Sequence, residues 1–504
     1  MRSTKPHAII VRSAIPVLAL LCFLCNLWMF KAYTVDDSFI TFRYVRQWVN
    51  GNGLVYNVGD RVEGYSNFLW VVLLAPLEAI GLDLFLSAKV LGGVLGLSTM
   101  LLVIRHSRRY AVPGLSALLL GATGAFAAWT VSGLETALFS FLLTLASLEF
   151  GREEERGRGW LSGLYFALLT LTRPEAIVLV GVAVLHRLWA IFRAKSRIAS
   201  HDWLRAAALG MVLLPYLAWR ITYYGYPLPN TVYAKSMGLS ARALMEGVYY
   251  LYGSFRIIGG MVLPIVPLVA VVSRLDRTAF LDYSLLSIIA YAAVTVLGGG
   301  DWMPLQRFLV HILPLLMVCV HVGLTSLLDH LTVRKDIRAW GIALVAALQV
   351  VYLLGISAEM RYVDGIASGS LVPEGRGKVA FLLDHVESGD TIAVTDAGLV
   401  SYGLPLDVRI VDMVGLNDSH IAHQPVQLPG GLFGRHDAFG KWDVAYVLAQ
   451  EPRFVQVNLL SPRGSEELFT NFTGTTLLVN DSQFRQSYAP VDGAPGIYER
   501  VTTH

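Results

Sequence analysis

The sequence contains few cysteines and few charged residues, and these two shortages exclude several classes of protein. Three cysteines occur in 504 residues, and Cys22, Cys25 and Cys319 all lie in apolar stretches, whereas a disulfide framework or a zinc site needs spaced cysteines in polar surroundings. Charged residues make up 15% of the chain and hydrophobic residues 55%. This balance excludes an ordinary soluble protein and predicts a polytopic membrane protein.

Motifs for binding nucleotides, metals and nucleic acids are also missing. No His-rich segment, internal repeat or low-complexity tract stands out, and the glycine run 298–300 is too short to cradle a phosphate chain. The 40 basic and 37 acidic residues give a net charge of +3. Because the basic residues form short clusters between apolar segments, they argue against a nucleic-acid partner.

Long apolar segments are abundant. Segments of about 17 to 25 apolar residues recur about eleven times, which predicts an α-helical bundle of about eleven membrane-spanning helices. The predicted spans are 12–32, 84–104, 112–132, 134–150, 159–172, 175–193, 203–222, 253–273, 280–298, 305–328 and 338–357. The first span has a basic start but lacks a small-residue cleavage site, so we predict a retained helix rather than a signal peptide.

Arginine and lysine cluster in alternate connecting segments, for example 105–109 and 152–158. By the positive-inside rule, these segments and the N-terminus face the cytoplasm of a bacterial cell. Most unusual polar motifs then lie outside the cytoplasmic membrane. The apolar stretch 67–79 is short and contains Pro76 and Glu78, so we predict a helix at the outer interface rather than a membrane crossing.

The composition changes after about residue 360. Apolar runs shorten to the length of strands and are separated by Gly, Asp and Pro, which predicts a small α/β domain with buried strands. The predicted strands are 391–395, 408–412 and 442–447. We therefore divide the chain into a transmembrane module at 1–360, with a first outer loop at 33–83, and an extracytoplasmic α/β domain at 361–504.

The most informative polar feature is the pair of acids Asp36 and Asp37, a few residues after the first span. Carboxylates at the mouth of a membrane bundle are costly to desolvate, and they usually mark a substrate, ion or proton site. One acid is explained if Asp36 caps a helix that begins near Ser38. The second acid needs another explanation, so we interpret the pair as functional.

Further polar residues lie at the predicted outer ends of helices. Glu135 and Glu175 are explained equally well as acids in a first helical turn, favoured by the helix dipole, and as substrate-binding groups. Arg173 and Arg307 need an anionic partner at the bilayer edge, either a phosphate or a structural carboxylate. Lys235 is either a phosphate contact or a snorkelling chain end. The candidate substrate-binding residues are Arg43, Glu63, Asn67, Glu135, Arg173, Glu175, Asn230, Lys235, Asp301 and Arg307.

Together these features favour sugar transfer from a lipid-phosphate donor to a glycan or lipid acceptor. The donor phosphate stays at the membrane surface, where basic residues neutralise the departing phosphate while a carboxylate removes the proton of the acceptor hydroxyl. Nucleotide donors are not available outside the cytoplasm. This agrees with the missing nucleotide motif.

The outer motifs resemble those of GT-C superfamily glycosyltransferases, which are membrane enzymes with polyprenyl-phosphate sugar donors. The motifs are Asp36-Asp-Ser-Phe-Ile, Gly53-Leu-Val-Tyr-Asn, Glu63-Gly-Tyr-Ser-Asn, Ser132-Gly-Leu-Glu and Pro227-Leu-Pro-Asn. More narrowly, they resemble a bacterial branch that includes the mycobacterial terminal β-(1→2)-arabinofuranosyltransferase. The resemblance implies inverting displacement at the anomeric carbon, with Asp36 as the first choice for the general base, and it makes arabinofuranose one expected sugar.

Members of this superfamily differ in their use of a divalent metal, and the sequence leaves both alternatives open. With a metal, the expected oxygen ligands for a hard cation are Asp36, Asp37 and Glu135. Without a metal, the side chains expected to balance the phosphate charge are Arg173, Lys235 and Arg307.

Two other functions are also compatible with a polar site in a membrane bundle. A transporter or flippase of lipid-linked sugars also collects charges in a bundle, but it predicts inverted repeats and broken helices that this sequence does not display. A non-catalytic envelope assembly protein has no need of a reactive acidic pair. The external domain is a candidate for binding the acceptor glycan, through Asp396 and Asp412 at apparent strand ends, although Asp is common in turns.

Overall fold

The structure is a computed structural model, and it describes residues 6–110, 112–235, 241–258, 278–301, 303–331, 335–362, 371–427, 440–459, 470 and 472–501. The chain divides into two compact units. Unit 1 contains Met1–Tyr33, Ala88–Pro215 and Ala243–Ser368. Unit 2 contains Thr34–Ser87, Tyr216–Arg242 and Gly369–His504. Each unit is therefore assembled from segments that are far apart in the sequence.

Helices dominate the chain up to residue 362. In chain order they are α1 (Pro6–Met29), α2 (Asp37–Val49), α3 (Phe68–Ala79), α4 (Leu84–Ser107), α5 (Leu115–Ala122), α6 (Gly124–Thr130), α7 (Thr136–Arg156), α8 (Leu161–Thr172), α9 (Ile177–Arg193), α10 (Ser200–Tyr224), α11 (Asn230–Lys235), α12 (Ala241–Ile258), α13 (Ala279–Leu297), α14 (Arg307–Leu331) and α15 (Lys335–Tyr362). A 3₁₀ turn at Pro174–Ala176 leads into α9.

Six of the described helices are long and apolar enough to cross a membrane. They are α4, α9 with its 3₁₀ turn, α10, α13, the part of α14 at Arg307–Ser326 and the part of α15 at Leu344–Arg361. The apolar window of α14 is 83% buried, so α14 is the central helix of unit 1, where it packs against α5, α7 and α13. The chain is thus a multi-pass helical membrane protein, as its composition predicts.

One predicted span is not a single long helix, and another extends beyond the described residues. Over 112–132 the chain forms the short helices α5 and α6, which are interrupted where Thr123 adopts extended backbone and its hydroxyl bonds the Leu119 carbonyl. Residues 259–273 of the predicted span 253–273 lie outside the described residues. The total of about eleven spans therefore stays a prediction.

The predicted helix at 67–79 is confirmed as α3, over Phe68–Ala79. Its 12 residues rise about 18 Å, which is less than the roughly 30 Å hydrocarbon core of a bilayer. This length agrees with a helix that does not cross the membrane. Its depth at the interface stays a prediction.

The last part of unit 2, which we call the α/β segment, comprises the described residues after 370. Its helices are α16 (Leu371–His385), α17 (Leu399–Gly403), α18 (Ser419–Ala422), α19 (Val444–Ala449), α20 (Thr473–Asn480) and α21 (Ser482–Ser487). Its strands are β1 (Thr391–Val394), β2 (Arg409–Asp412), β3 (Phe454–Gln456), β4 (Tyr488–Pro490) and β5 (Ile497–Arg500). They form one sheet in the order β2-β1-β3-β5-β4, parallel across the first three strands and antiparallel across the rest.

Two of the three strands predicted in this segment are confirmed as β1 and β2. The third, at 442–447, is wrong, because the Asp443 side chain accepts the Tyr446 N–H and begins helix α19. Aspartate in extended backbone just before an apolar run is a favoured N-cap. This local capping bond outweighs the β-propensity of the valines that follow it.

Both faces of the sheet are covered. Ala393 and Val455 belong to a buried cluster with Val447 and Phe484 from the helices on one face. Phe454, whose side chain points to the opposite face by the alternation of a strand, lies with its ring centroid 6.2 Å from that of Phe381 in α16. Helices α19 and α16 therefore cover opposite faces of the sheet.

Candidate active site

Asp36 directly precedes α2, but its side chain does not cap that helix. Instead, its two carboxylate oxygens accept the backbone N–H groups of Gly398, at 2.9 Å, and Leu399, at 2.8 Å. These two residues begin α17 in the α/β segment. The explanation of Asp36 as the cap of a helix near Ser38 is therefore wrong, and its carboxylate is fixed by a partner more than 300 residues away.

Burial raises the pKa of the Asp36 carboxyl from its ordinary value of 3.8 to about 7. The neighbouring carboxylates of Asp396 and Asp37 also raise it, while the N–H groups of Leu399 and Gly398 lower it. A general base works best when its pKa lies near the operating pH. Asp36 can therefore take up a proton at neutral pH.

Asp37 and Lys235 form a partly exposed ion pair in unit 2. The Oδ2 atom of Asp37 lies 3.9 Å from Nζ of Lys235, and the side chains are 19% and 35% exposed. Lys235 ends the short helix α11, which the prolines before it separate from α10. The acidic pair of the sequence thus lies next to one ammonium group that can bind an anion.

Arg43, predicted to bind phosphate or substrate, is fully buried. Its guanidinium donates to the backbone carbonyls of Tyr56, Ser401 and Val408. All three guanidinium nitrogens thus bind protein backbone, and two of the carbonyls belong to the α/β segment. We therefore leave Arg43 out of the proposed substrate site.

Two asparagines of the outer motifs also bind the backbone of the α/β segment. The Asn57 side chain exchanges two hydrogen bonds with the N–H and C=O of Ile410 in β2, both at 2.9 Å. The Asn230 side chain donates to the carbonyls of Gly415 and Leu416, also at 2.9 Å. These contacts assign Asn230 to the framework around the acidic pair.

Glu63 and Asn67 are both buried. Glu63 forms an ion pair of 2.6 Å with Arg220 and accepts a longer bond from the Tyr216 hydroxyl. Burial raises the pKa of Glu63 to about 7, although Arg220 lowers it. Asn67 exchanges hydrogen bonds with the Thr41 side chain. Both residues thus hold the first outer loop in place.

Replacing Glu63 with alanine is expected to destabilise the folded protein by about 3 to 5 kcal/mol, because Arg220 is left as an unpaired buried cation. The measurement is thermal or denaturant unfolding in detergent. The matched control is Asp60→Ala, which removes an exposed pair with Arg409 at 3.6 Å and is expected to cost at most about 1 kcal/mol. Equal effects of the two changes would contradict this expectation.

The candidates of unit 1 form two groups of ion pairs. Arg173 bonds Glu135 at 2.6 Å and also Glu175, and Arg307 bonds Asp301 at 2.8 Å. Both guanidinium groups are almost fully buried. The expectation that they bind phosphate rested on the need for an anionic partner, and carboxylates provide one here. These contacts favour the alternative of structural carboxylates.

Among the described residues, one group of acidic and histidine side chains has ligand atoms close enough together to hold a metal ion. The ligand atoms of Glu154, His201 and Asp202 in unit 1 lie within 4.8 Å of one another. However, Arg187 donates to Glu154 and Asp202, and Arg205 donates to Glu154. The group is therefore an ion-pair network, which ties α7, α9 and α10 together.

The sequence analysis named Asp396 but missed the polar network around it at the carboxyl ends of β1 and β3. Asp396 accepts hydrogen bonds from Gln456, at 3.1 Å, and Asn458, at 2.6 Å. Lys378 lies 3.6 Å from Asp396 and donates to the Asn458 side chain. The signal that could have revealed this network is Gln456 in an otherwise apolar run, because a buried amide needs polar partners.

Gly398 is a second residue whose role was missed in the sequence. A Cβ atom at this position would lie 2.0 Å from the carbonyl oxygen of Asp36 and 2.4 Å from its Oδ2 atom. Only glycine lets the two chain segments come this close. Gly398 is therefore needed for the position of Asp36.

Crystal structures of ArnT from Cupriavidus metallidurans resemble most of the chain. The structure bound to undecaprenyl phosphate has a TM-score of 0.53 and 12% sequence identity, covering 81% of this chain and 86% of ArnT. The apo structure has a TM-score of 0.51 and 13% identity, with the same coverage. The chain has the GT-C fold. At this identity the likeness concerns the fold, and it confirms the predicted architecture of the GT-C membrane glycosyltransferases.

Two further matches fall on parts of the chain. The terminal β-(1→2)-arabinofuranosyltransferase of Mycobacterium tuberculosis is 28% identical in an alignment 229 residues long, which covers 41% of this chain. The match spans 35% of the length of that relative. A family model described as a domain of unknown function (DUF8728) matches residues 367–499. It covers the α/β segment, whose backbone binds Asp36.

Proposed function

We propose that this chain is an inverting glycosyltransferase that moves a sugar from a polyprenyl-phosphate donor to a glycan or lipid acceptor. The observation that carries the proposal is a fixed carboxylate of raised pKa, Asp36, beside the ion pair of Asp37 and Lys235. The undecaprenyl phosphate in the ArnT structure supports the class of donor. The mycobacterial relative supports arabinofuranose as the first sugar to test.

In the proposed reaction, Asp36 acts as the general base. It takes the proton of an acceptor hydroxyl while that oxygen attacks the anomeric carbon of the donor. The bond from this carbon to the phosphate oxygen breaks, and polyprenyl phosphate leaves with both electrons of that bond. Each Asp36 oxygen accepts one backbone N–H and retains another lone pair for the proton.

The leaving phosphate needs positive charge close to it. Of the two predicted cationic contacts in unit 2, we favour Lys235, because Arg43 is committed to backbone carbonyls. A divalent cation would supply the same stabilisation and remains the alternative. Of its predicted ligands, Glu135 already accepts a bond from Arg173, and both oxygens of Asp36 accept N–H groups. The predicted metal ligands are therefore already engaged in other bonds, which favours Lys235 over a divalent cation.

The proposal puts the enzyme in the bacterial cytoplasmic membrane, with its N-terminus in the cytoplasm and the acidic pair outside. The arginine clusters at 105–109 and 152–158 support this orientation by the positive-inside rule. This orientation is tested by replacing an exposed residue of unit 2, such as Asp83, with cysteine and labelling the thiol in intact cells. Labelling by an impermeant reagent is expected.

The test of function is transfer from synthetic polyprenyl-phosphate arabinofuranose, mannose, glucose and aminoarabinose by the purified full-length protein. Hydroxyl-bearing glycan and lipid acceptors are included, with and without EDTA. Turnover of one donor supports the proposal and identifies the sugar, and activity retained in EDTA supports Lys235 over a metal. No turnover of any donor, together with donor binding, would instead favour a transporter.

The rate of transfer is expected to rise with pH and to level off above a midpoint near the Asp36 pKa of about 7, because the base must be ionised. Replacing Asp396 with asparagine removes a neighbouring negative charge, so the midpoint is expected to move to lower pH. The measurement is kcat/KM against pH for both proteins. A flat profile from about pH 5 to about pH 9 would contradict Asp36 as the base.

The same pKa sets the sign of a change in stability. The folded state binds the Asp36 proton more tightly than the unfolded chain, whose carboxyl has the ordinary value of 3.8. The contribution of this group to stability is therefore present at low pH and is lost as the pH rises through about 7.

A further inference from the structure

The parallel part of the sheet contains a point where the chain reverses direction. From β1 the chain passes through α17 to β2 on one side, and from β2 it returns through α18 and α19 to β3 on the other side of β1. In open α/β sheets, ligands bind outside the carboxyl ends of the strands at such a switch point. Here that place lies between the ends of β1 and β3.

The side chains at this switch point are polar and built into the fold. Gln456 is fully buried and Lys378 is 7% exposed. Gln456 accepts the backbone N–H groups of Thr395 and Asp396 and donates to the Asp396 carboxylate. Burying an amide and an ammonium is costly unless they are paired. These buried polar groups thus hold one carboxylate in position.

The carboxylate so held reaches solvent. The Asp396 side chain is 28% exposed, whereas Lys378 beneath it is buried. Gln456, Asn458 and Lys378 approach it, and an ionised carboxylate offers about four acceptor positions. At least one acceptor position is therefore left for a donor from outside.

The switch point also lies beside the proposed general base. Asp396 is two residues before Gly398, whose N–H binds Asp36, and three before Leu399, whose N–H binds the other Asp36 oxygen. The chain at 396–399 thus connects the exposed polar network directly to the carboxylate that would accept the acceptor proton.

The geometry points to an acceptor-binding subsite for carbohydrate at the carboxyl ends of β1 and β3, formed by Asp396 and Asn458. This inference rests on the proposed transferase function and names the acceptor class as a glycan. Sugar hydroxyls both donate and accept hydrogen bonds, so an oriented carboxylate and an amide suit them. Binding there would bring a neighbouring hydroxyl of the same glycan to Asp36.

The test compares Asn458→Ala and Asp396→Asn with wild type in the full-length protein, using arabinan, mannan and glucan oligosaccharides as acceptors. Asn458→Ala removes the amide that would bind the acceptor, so its acceptor KM is expected to rise about tenfold, equivalent to about one hydrogen bond. The charge around Asp36 is unchanged in this variant. Its donor KM and its kcat at saturating acceptor are expected to stay the same. Asp396→Asn is expected to raise the acceptor KM as well.

Asp390→Asn is the matched control. Asp390 directly precedes β1, at the amino ends of the parallel strands, where it pairs with Arg453 at 2.8 Å. Its acceptor KM is expected to equal that of wild type. A rise common to all three variants would show general damage to the segment and would overturn the subsite.

Failure of the subsite can be told apart from failure of the proposed function. Unchanged acceptor KM in Asn458→Ala and Asp396→Asn, in an active transferase, overturns the subsite and leaves the function intact. If wild type transfers no sugar, binding of the same oligosaccharides to the immobilised protein is measured instead. Binding that is lost in the two variants and kept in Asp390→Asn supports the subsite, and no binding by wild type overturns it.

Discussion

Replacing Asp36 with asparagine is expected to lower kcat for sugar transfer by about 10²- to 10⁴-fold, the usual contribution of a general base. Asparagine has nearly the same shape and keeps one of the two hydrogen bonds, because its amide oxygen accepts one backbone N–H while its NH2 group cannot accept the other. What is lost is the group that takes the proton. The measurement is single-turnover transfer with the donor that wild type uses.

The matched control is Asp83→Asn, in the same unit and close in sequence. Asp83 is exposed and accepts the Leu86 N–H at the start of α4, a role that asparagine fills equally well. Its transfer rate is expected to match wild type. If Asp36→Asn stays active while Asp37→Asn loses activity, the base is Asp37 and our assignment within the pair is wrong.

Replacing Gly398 with alanine is expected to lower the transfer rate by about 10²-fold, the order expected when a catalytic group is displaced by about 1 Å. The added methyl group would lie 2.0 Å from a backbone oxygen of Asp36, so one of the two segments must move. The strain is also expected to cost about 1 to 3 kcal/mol of stability. Transfer rate and unfolding midpoint are measured together.

Gly377→Ala controls for this change. Gly377 lies in α16, and a Cβ atom there meets no heavy atom within 4 Å. Alanine in a helix is more favourable than glycine by about 0.5 to 1 kcal/mol, so this variant should be fully active and slightly more stable. Full activity of Gly398→Ala would show that the contact with Asp36 is not needed for transfer.

The membrane class and the acidic pair could be predicted because both depend on local sequence. Apolar runs report burial in a bilayer, and adjacent acids after the first run are conspicuous whatever surrounds them. The strands β1 and β2 were found for the same reason. The prediction of a strand at 442–447 was wrong because one hydrogen bond, from the Tyr446 N–H to the Asp443 side chain, starts a helix there.

The roles of the other motif residues could not be predicted, because their partners lie far away in the sequence. Arg43 binds the carbonyls of Ser401 and Val408, more than 350 residues later. Nothing near Arg43 distinguishes a guanidinium that binds backbone from one that binds phosphate. The same holds for Arg173, whose acidic partner Glu135 belongs to another helix.

The hydrogen bonds of Asn57 determine whether the α/β segment can be produced separately. Strand β2 is the outermost parallel strand, and Asn57 occupies the N–H and C=O of Ile410 on it. A recombinant fragment limited to residues 367–499 would lose that amide and expose the strand, and uncovered strand edges promote aggregation. Structural or biophysical work on this segment therefore needs the loop containing Asn57 in the same polypeptide.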